Sequence, residues 1–224
     1  MSDFSFYFGI GWEHIITVNA LDHIFFIAAL AAIYLLEDWR QVLILVTAFT
    51  IGHTITLVLS SLEWVELPSA WVEFLIPYTI VFTAVSNLFQ KTFTPRAIRI
   101  NYLLALFFGL IHGLAFANTL RMLLAADQSF AVSMIGFSVG LEVGQVLIVL
   151  LLLLLARLFV GFLKVRRRDW VIFLSSAVMA LAVQMAIERW PGKEKKRVSG
   201  SETSYSKFIA LHHKRSFTIN PINT

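Results

Sequence analysis

Long apolar runs broken by short polar turns set out the plan of this chain. Six of them approach the ~20 residues that carry an α-helix across a hydrocarbon core. They predict spanning helices at about 21–36, 41–61, 71–89, 101–124, 130–158 and 170–187. Ahead of the first run, residues 6–18 mix apolar and polar positions at helical spacing and predict an amphipathic or re-entrant segment. Pro191-Gly192 closes the last helix, because proline cannot continue one. The expected architecture is all-α: one polytopic transmembrane bundle over 1–190, then a polar, flexible tail over 191–224.

Composition sharpens this reading. Of 224 residues, 58% are hydrophobic and 14% charged, against about 25% charged in soluble domains, so the chain is read as an integral membrane protein. Cysteine is absent. Disulfides, thiolate metal sites and cysteine nucleophiles are therefore excluded, and any metal must be held by nitrogen and oxygen. The N-terminus has no basic region and no small-residue cleavage site, so no cleaved signal peptide is expected. No phosphate-cradling glycine loop occurs, and the basic loops need no nucleic acid, since anionic lipid explains them.

Lys and Arg in short loops set orientation. Arg40 follows the first predicted span, Lys91, Arg96 and Arg99 the third, and Lys164, Arg166, Arg167 and Arg168 the fifth. The opposite side carries only Arg121. These loops are expected to face the cytoplasm, in a bacterial inner membrane, with the N-terminus outside. Six spans also put the tail outside, against the rule, because it holds Lys193, Lys195, Lys196 and Arg197.

The apolar segments contain polar intruders. His14, His23, His53 and His112 lie in or at the mouth of predicted spans, with Asp22 beside His23 and Glu142 in mid-span. An ionisable group at the bilayer centre costs ~2.5–3.5 kcal/mol on insertion scales, so such groups face a partner, a cavity or an ion. Thr47, Thr50 and Thr54 share a face with His53 alongside. Thr79, Thr83, Ser86, Asn87 and Gln90 form a second stripe, and Ser138, Glu142 and Gln145 a third. Gly109, Gly113 and Ala117, and likewise Gly140 and Gly144, suit close helix approach. Asp22, His23, His53, His112 and Glu142 are expected to converge in the outer half of the membrane. His14 precedes Asp22 by eight residues, about 12 Å along one helix. Joint ligation therefore requires a break near Asn19. His212 and His213, in the tail, read as solvated.

Several short motifs now stand in order. They are Gly11-Trp12-Glu13-His14, Asp22-His23-Ile24-Phe25-Phe26, Thr47 to Leu57, Phe108 to Ala117 with its Gly109-Leu110-Ile111-His112-Gly113 core, and Gly140-Leu141-Glu142-Val143-Gly144-Gln145. In this order the chain resembles the HupE/UreJ family of bacterial membrane proteins. The resemblance implies a small permease for nickel or cobalt, with the family's His and Asp-His signature mapping onto His14, Asp22 and His23.

On the residues alone, the metal candidates are His14, Asp22, His23, His53, His112 and Glu142, with Thr54, Asn87 and Gln145 as outer-shell or pathway groups. The ion is expected to be Ni, Co or Zn. The leading expectation is a permease. The alternative is a membrane-embedded zinc hydrolase with Glu142 as general base, although no His-Glu-x-x-His pairing is present. A structural-metal role in an accessory subunit, a homo-oligomer and an energising partner subunit stay open.

Overall fold

The computed structural model describes residues 3–17, 21–65, 67–90, 95–123 and 129–192. Among these there are seven α-helices and no strand. They are α1 (Asp3–Ile16), α2 (Leu21–Ala31), α3 (Trp39–Ser61), α4 (Ser69–Phe89), α5 (Pro95–Leu123), α6 (Phe130–Ala156) and α7 (Arg167–Glu188). Short helical segments at Leu36–Asp38 and Arg157–Phe162 extend α3 backward and α6 forward.

Four helical stretches are long and apolar enough to cross a membrane: Leu36–Ser61, Ser69–Phe89, Phe130–Phe162 and Arg167–Glu188. The pair α1 and α2 passes the same test together, but their axes are inclined at 69°. The apolar stretch of α5 is Asn101–Ala117, shorter than the others. The chain is a membrane protein of helical-bundle architecture. Its surface carries Ile44, Ile51 and Ile55 of α3 and Ile135, Val139 and Val143 of α6, while His23, His53, Asn87, His112 and Gln145 are buried. Lipid accepts such an apolar surface, and these polar groups are kept away from it inside a largely apolar interior.

Two boundaries differ from the sequence expectation. The segment expected over 6–18 as amphipathic or re-entrant is the fourteen-residue α1, which starts at Asp3, buries Tyr7, Gly11 and Ile15 and packs along α6. The first predicted span ends early, at Ala31. The chain just beyond it is held by side chains: Arg167 donates to the Ile33 carbonyl, and Asp38 Oδ2 accepts the Leu35 N–H at 3.1 Å. No Gly or Pro marks this stop, so the sequence hid it. The break expected near Asn19 falls on residues 18–20, outside the described residues. Lys91 and the tail from residue 193 onward, including His212 and His213, lie outside them as well.

In lipid, helices gain little from hydrophobic burial against one another and associate through close packing. Here glycine supplies it. Cβ atoms at Gly52, Gly109 and Gly113 would strike, respectively, the backbone carbonyls of Leu106, Phe49 and His53 across the α3–α5 contact. Gly11 meets Phe137, and Gly140 meets Phe8, across α1–α6 in the same way. The close approach expected of Gly109, Gly113 and Gly140 is therefore present. The small helix α2 sits against α4, α6 and α7.

The basic loops gather at one end. Arg157 pairs with Glu37 at 2.7 Å, Arg167 reaches Asp38 at 3.4 Å, and Arg168 donates to the Leu88 and Gln90 carbonyls. The α2–α3 and α6–α7 connections and the C-terminus of α4 thus share an end. At the opposite end the start of α2 meets the end of α7, through Asp22 and Arg189.

Candidate metal centre

Four helices each contribute one histidine. His14 lies in the last turn of α1, His23 in the first turn of α2, His53 in α3 and His112 in α5. The bend between α1 and α2 is what joins the first two, with ring centroids 4.7 Å apart. His14 and His53 are 5.9 Å apart, His23 and His53 6.3 Å, and His23 and His112 5.0 Å. One ring nitrogen from each of His14, His23 and His53 lies within 4.8 Å of the other two. Among the described residues this is the group close enough together that it could hold a metal ion.

The tautomers suit that role. His112 Nδ1 donates to the Phe108 carbonyl at 2.8 Å, one helical turn back. His23 Nδ1 donates to Asp22 Oδ1 at 3.0 Å. With the proton fixed on Nδ1, Nε2 of each ring keeps a bare lone pair, the form in which a histidine binds a metal. Nε2 of His14, His23 and His112 and both ring nitrogens of His53 are buried without a protein partner. Buried polar atoms are almost always satisfied, so five unmatched nitrogens in one place are what a cation-binding site leaves when read from the protein alone.

The surroundings are apolar and aromatic. Phe116 lies 4.1 Å from His14 and stacks on Phe137 at 5.1 Å, and Phe137 stacks on His53 at 6.0 Å. Phe49 and Phe26 lie 5.1 and 5.4 Å from His112. A cavity of about 170 Å³, lined by His14, Thr17, Asp22, His23, Ile76, His112 and neighbouring side chains, leads to the group. His53, the third member of the group, is 1% exposed.

Asp22 stands behind His23. Its Oδ1 also accepts the His23 backbone N–H at 2.9 Å, and its Oδ2 accepts from Arg189 at 3.0 Å. Both oxygens are thus engaged, so Asp22 orients His23 as it stands.

Glu142 is not brought into the histidine group. Its carboxylate accepts from Thr47 at 2.6 Å on the α3–α6 seam, which a mid-span position alone does not reveal. Gln145 accepts from Thr50 at 3.0 Å and Thr54 pairs with Ser138 at 2.8 Å on the same seam. Asn87 donates to the Ala29 carbonyl at 2.7 Å and to Ser175, tying α4 to α2 and α7. These three outer-shell candidates therefore bond helix to helix. Glu142→Gln keeps the acceptor for Thr47, and equilibrium Ni2+ affinity by titration calorimetry should stay at the wild-type value. A loss as large as that from removing His53 would put the carboxylate at the ion.

Arg189 and the phenylalanine walls were missed from sequence. Arg189 falls within the bundle expected over 1–190 without a role assigned to it, and the phenylalanines carry no polar group that marks a site. The nearest clue was spacing: His14 follows Gly11 and His112 follows Gly109 by three residues, and His53 follows Gly52 directly.

A model of the family described as HupE / UreJ protein matches residues 1–189, ending at the arginine that holds Asp22. No curated protein and no solved structure matches the chain.

Proposed function

The chain belongs to the HupE/UreJ family, and from that premise we propose that it is a permease for a divalent transition metal, nickel or cobalt first. The observation that carries this reading is the group of half-buried His14 and buried His23 and His53, with His112 against it and five unpartnered ring nitrogens.

Three physical features favour passage over permanent retention. First, the donors are neutral imidazoles, and the nearby carboxylate, Asp22, is already paired with Arg189. A divalent cation here keeps most of its charge in an apolar surround, which limits affinity. Second, donors up to 4.8 Å apart sit wider than the roughly 3.4 Å between nitrogens that hold one ion tetrahedrally at about 2.1 Å. The site must tighten to load and relax to release, as conduction requires. Third, the group borders a cavity rather than a sealed interior.

A hydrolytic zinc site also uses three histidines, but the carboxylate expected as its base, Glu142, is engaged with Thr47. Nitrogen donors without thiolate suit Ni2+ and Co2+. The basic end faces the cytoplasm of a bacterial inner membrane by the positive-inside rule. The histidines, at the Asp22–Arg189 end, then open outward, and the N-terminus is outside. Residues 1–190 form the one transmembrane unit, followed by the polar tail.

Proteoliposomes loaded with a metal-sensing dye test this. Saturable entry of Ni2+ or Co2+, lost on removal of His53, is the expected result. Stoichiometric zinc that resists chelation, with no ion flux, would overturn the permease in favour of the enzyme.

A further inference from the structure

We propose that Arg189 is an internal counter-ion that holds Asp22 while the site is empty and yields it to an entering divalent cation. The inference rests on the permease reading above. Its ground is the geometry at the junction of α2 and α7. Asp22 is buried, and its side chain and that of Arg189 are 12% and 29% exposed. The carboxylate borders the same cavity as His14, His23 and His112. One oxygen is committed to His23 and the other to Arg189 Nη1 at 3.0 Å.

A carboxylate left alone here would be an uncompensated buried charge, which is strongly destabilising. Arg189 removes that cost without a metal, and its guanidinium cannot shed its own charge. A divalent ion among the histidines repels that guanidinium across a medium of low dielectric, and both cations compete for one carboxylate. Arg189 is the residue in this contest able to leave. It caps the end of α7, and its long stem reaches Asp22 from there. Trp190 beside it rests edge-on against Phe74 at 5.0 Å. Displacement of Arg189 therefore disturbs a fluorophore one residue away.

The inference makes a gain-of-affinity prediction, which structural damage does not mimic. In the detergent-purified full chain, Arg189→Gln should bind Ni2+ about tenfold more tightly than wild type or better, within the range outer-shell partners exert on metal affinity. Arg189→Lys should stay near wild type. In an Asp22→Asn background, Arg189→Gln should bring no gain, because the contested carboxylate is gone. Wild-type binding with unchanged or weaker affinity in Arg189→Gln overturns this inference alone. Absence of Ni2+ binding in the wild type overturns the permease reading and this inference with it. If Arg189→Gln does not purify folded, the wild type carries the test. Zn2+ titration should shift tryptophan emission, and Trp190→Phe should remove that shift. Equal traces from the two proteins overturn the displacement.

Discussion

Gly113→Val will separate α3 from α5 and dismantle the histidine group with them. A Cβ at Gly113 meets the His53 carbonyl oxygen and Thr56 Oγ1. The first is backbone, and the second is held by its own bonds to the Gly52 and His53 carbonyls. Neither can step aside, so the helices must part. Overpacking of this kind costs about 1–3 kcal/mol and more where backbone has to move. The damage reaches function because Gly113 follows His112 directly and the colliding carbonyl belongs to His53 itself. We expect a lower melting transition by size-exclusion thermal challenge, with Ni2+ binding lost in the surviving fraction. Gly113→Ala should fall between valine and wild type. Gly9→Ala is the control: nothing lies within 4 Å of a Cβ there, and alanine is the better helix former by up to about 1 kcal/mol. A Gly113→Val protein that melts with the wild type would show that the close approach is dispensable.

The same glycines show what a sequence reveals about such a fold. Gly109, Gly113 and Gly140 signalled close contacts, because spacing of small residues on one helix face is a local property. Their partners were not legible, since nothing in the α5 sequence says that Gly109 opposes Phe49 of α3. The spans were visible because lipid imposes length and apolarity on each one separately. The early end of α2 was invisible because no Gly or Pro marks it, and Arg167, which bonds the Ile33 carbonyl just beyond, lies 134 positions away along the chain.

The site followed the same logic. Histidines stand out in apolar runs because their cost is independent of their neighbours. His14, His23, His53 and His112 are legible on that ground as polar intruders, and the need for a bend between His14 and Asp22 follows from helix rise alone. Partner assignments were less accessible. Glu142 carries the same intrinsic cost as the histidines but meets it with Thr47. Thr54, Asn87 and Gln145 meet theirs across helix seams. Arg189 escaped notice because an arginine at the end of an apolar helix ordinarily reaches water or headgroups. Only the fold shows that this one turns back to Asp22.

His53 offers the sharpest separation of function from stability. It is buried at 1% exposure, and both of its ring nitrogens are unpartnered. Such a group is a cost to the metal-free protein, on the order of 1–3 kcal/mol for each buried polar atom left unsatisfied. His53→Phe keeps a flat ring between Phe49 and Phe137 and deletes both nitrogens. The metal-free variant should therefore melt higher than wild type, while Ni2+ binding falls by more than about 100-fold, beyond the range reached by losing an outer-shell partner. Opposite signs for stability and affinity are the expected mark of a residue kept for its ligand rather than for packing. His112→Phe lacks this clean profile, because it also removes the Nδ1 bond to the Phe108 carbonyl. Thermal melts with chelator present, beside calorimetric titration, decide the matter. If His53→Phe loses stability without metal, the imidazole is a packing element. If it retains Ni2+ affinity, the ion is held elsewhere.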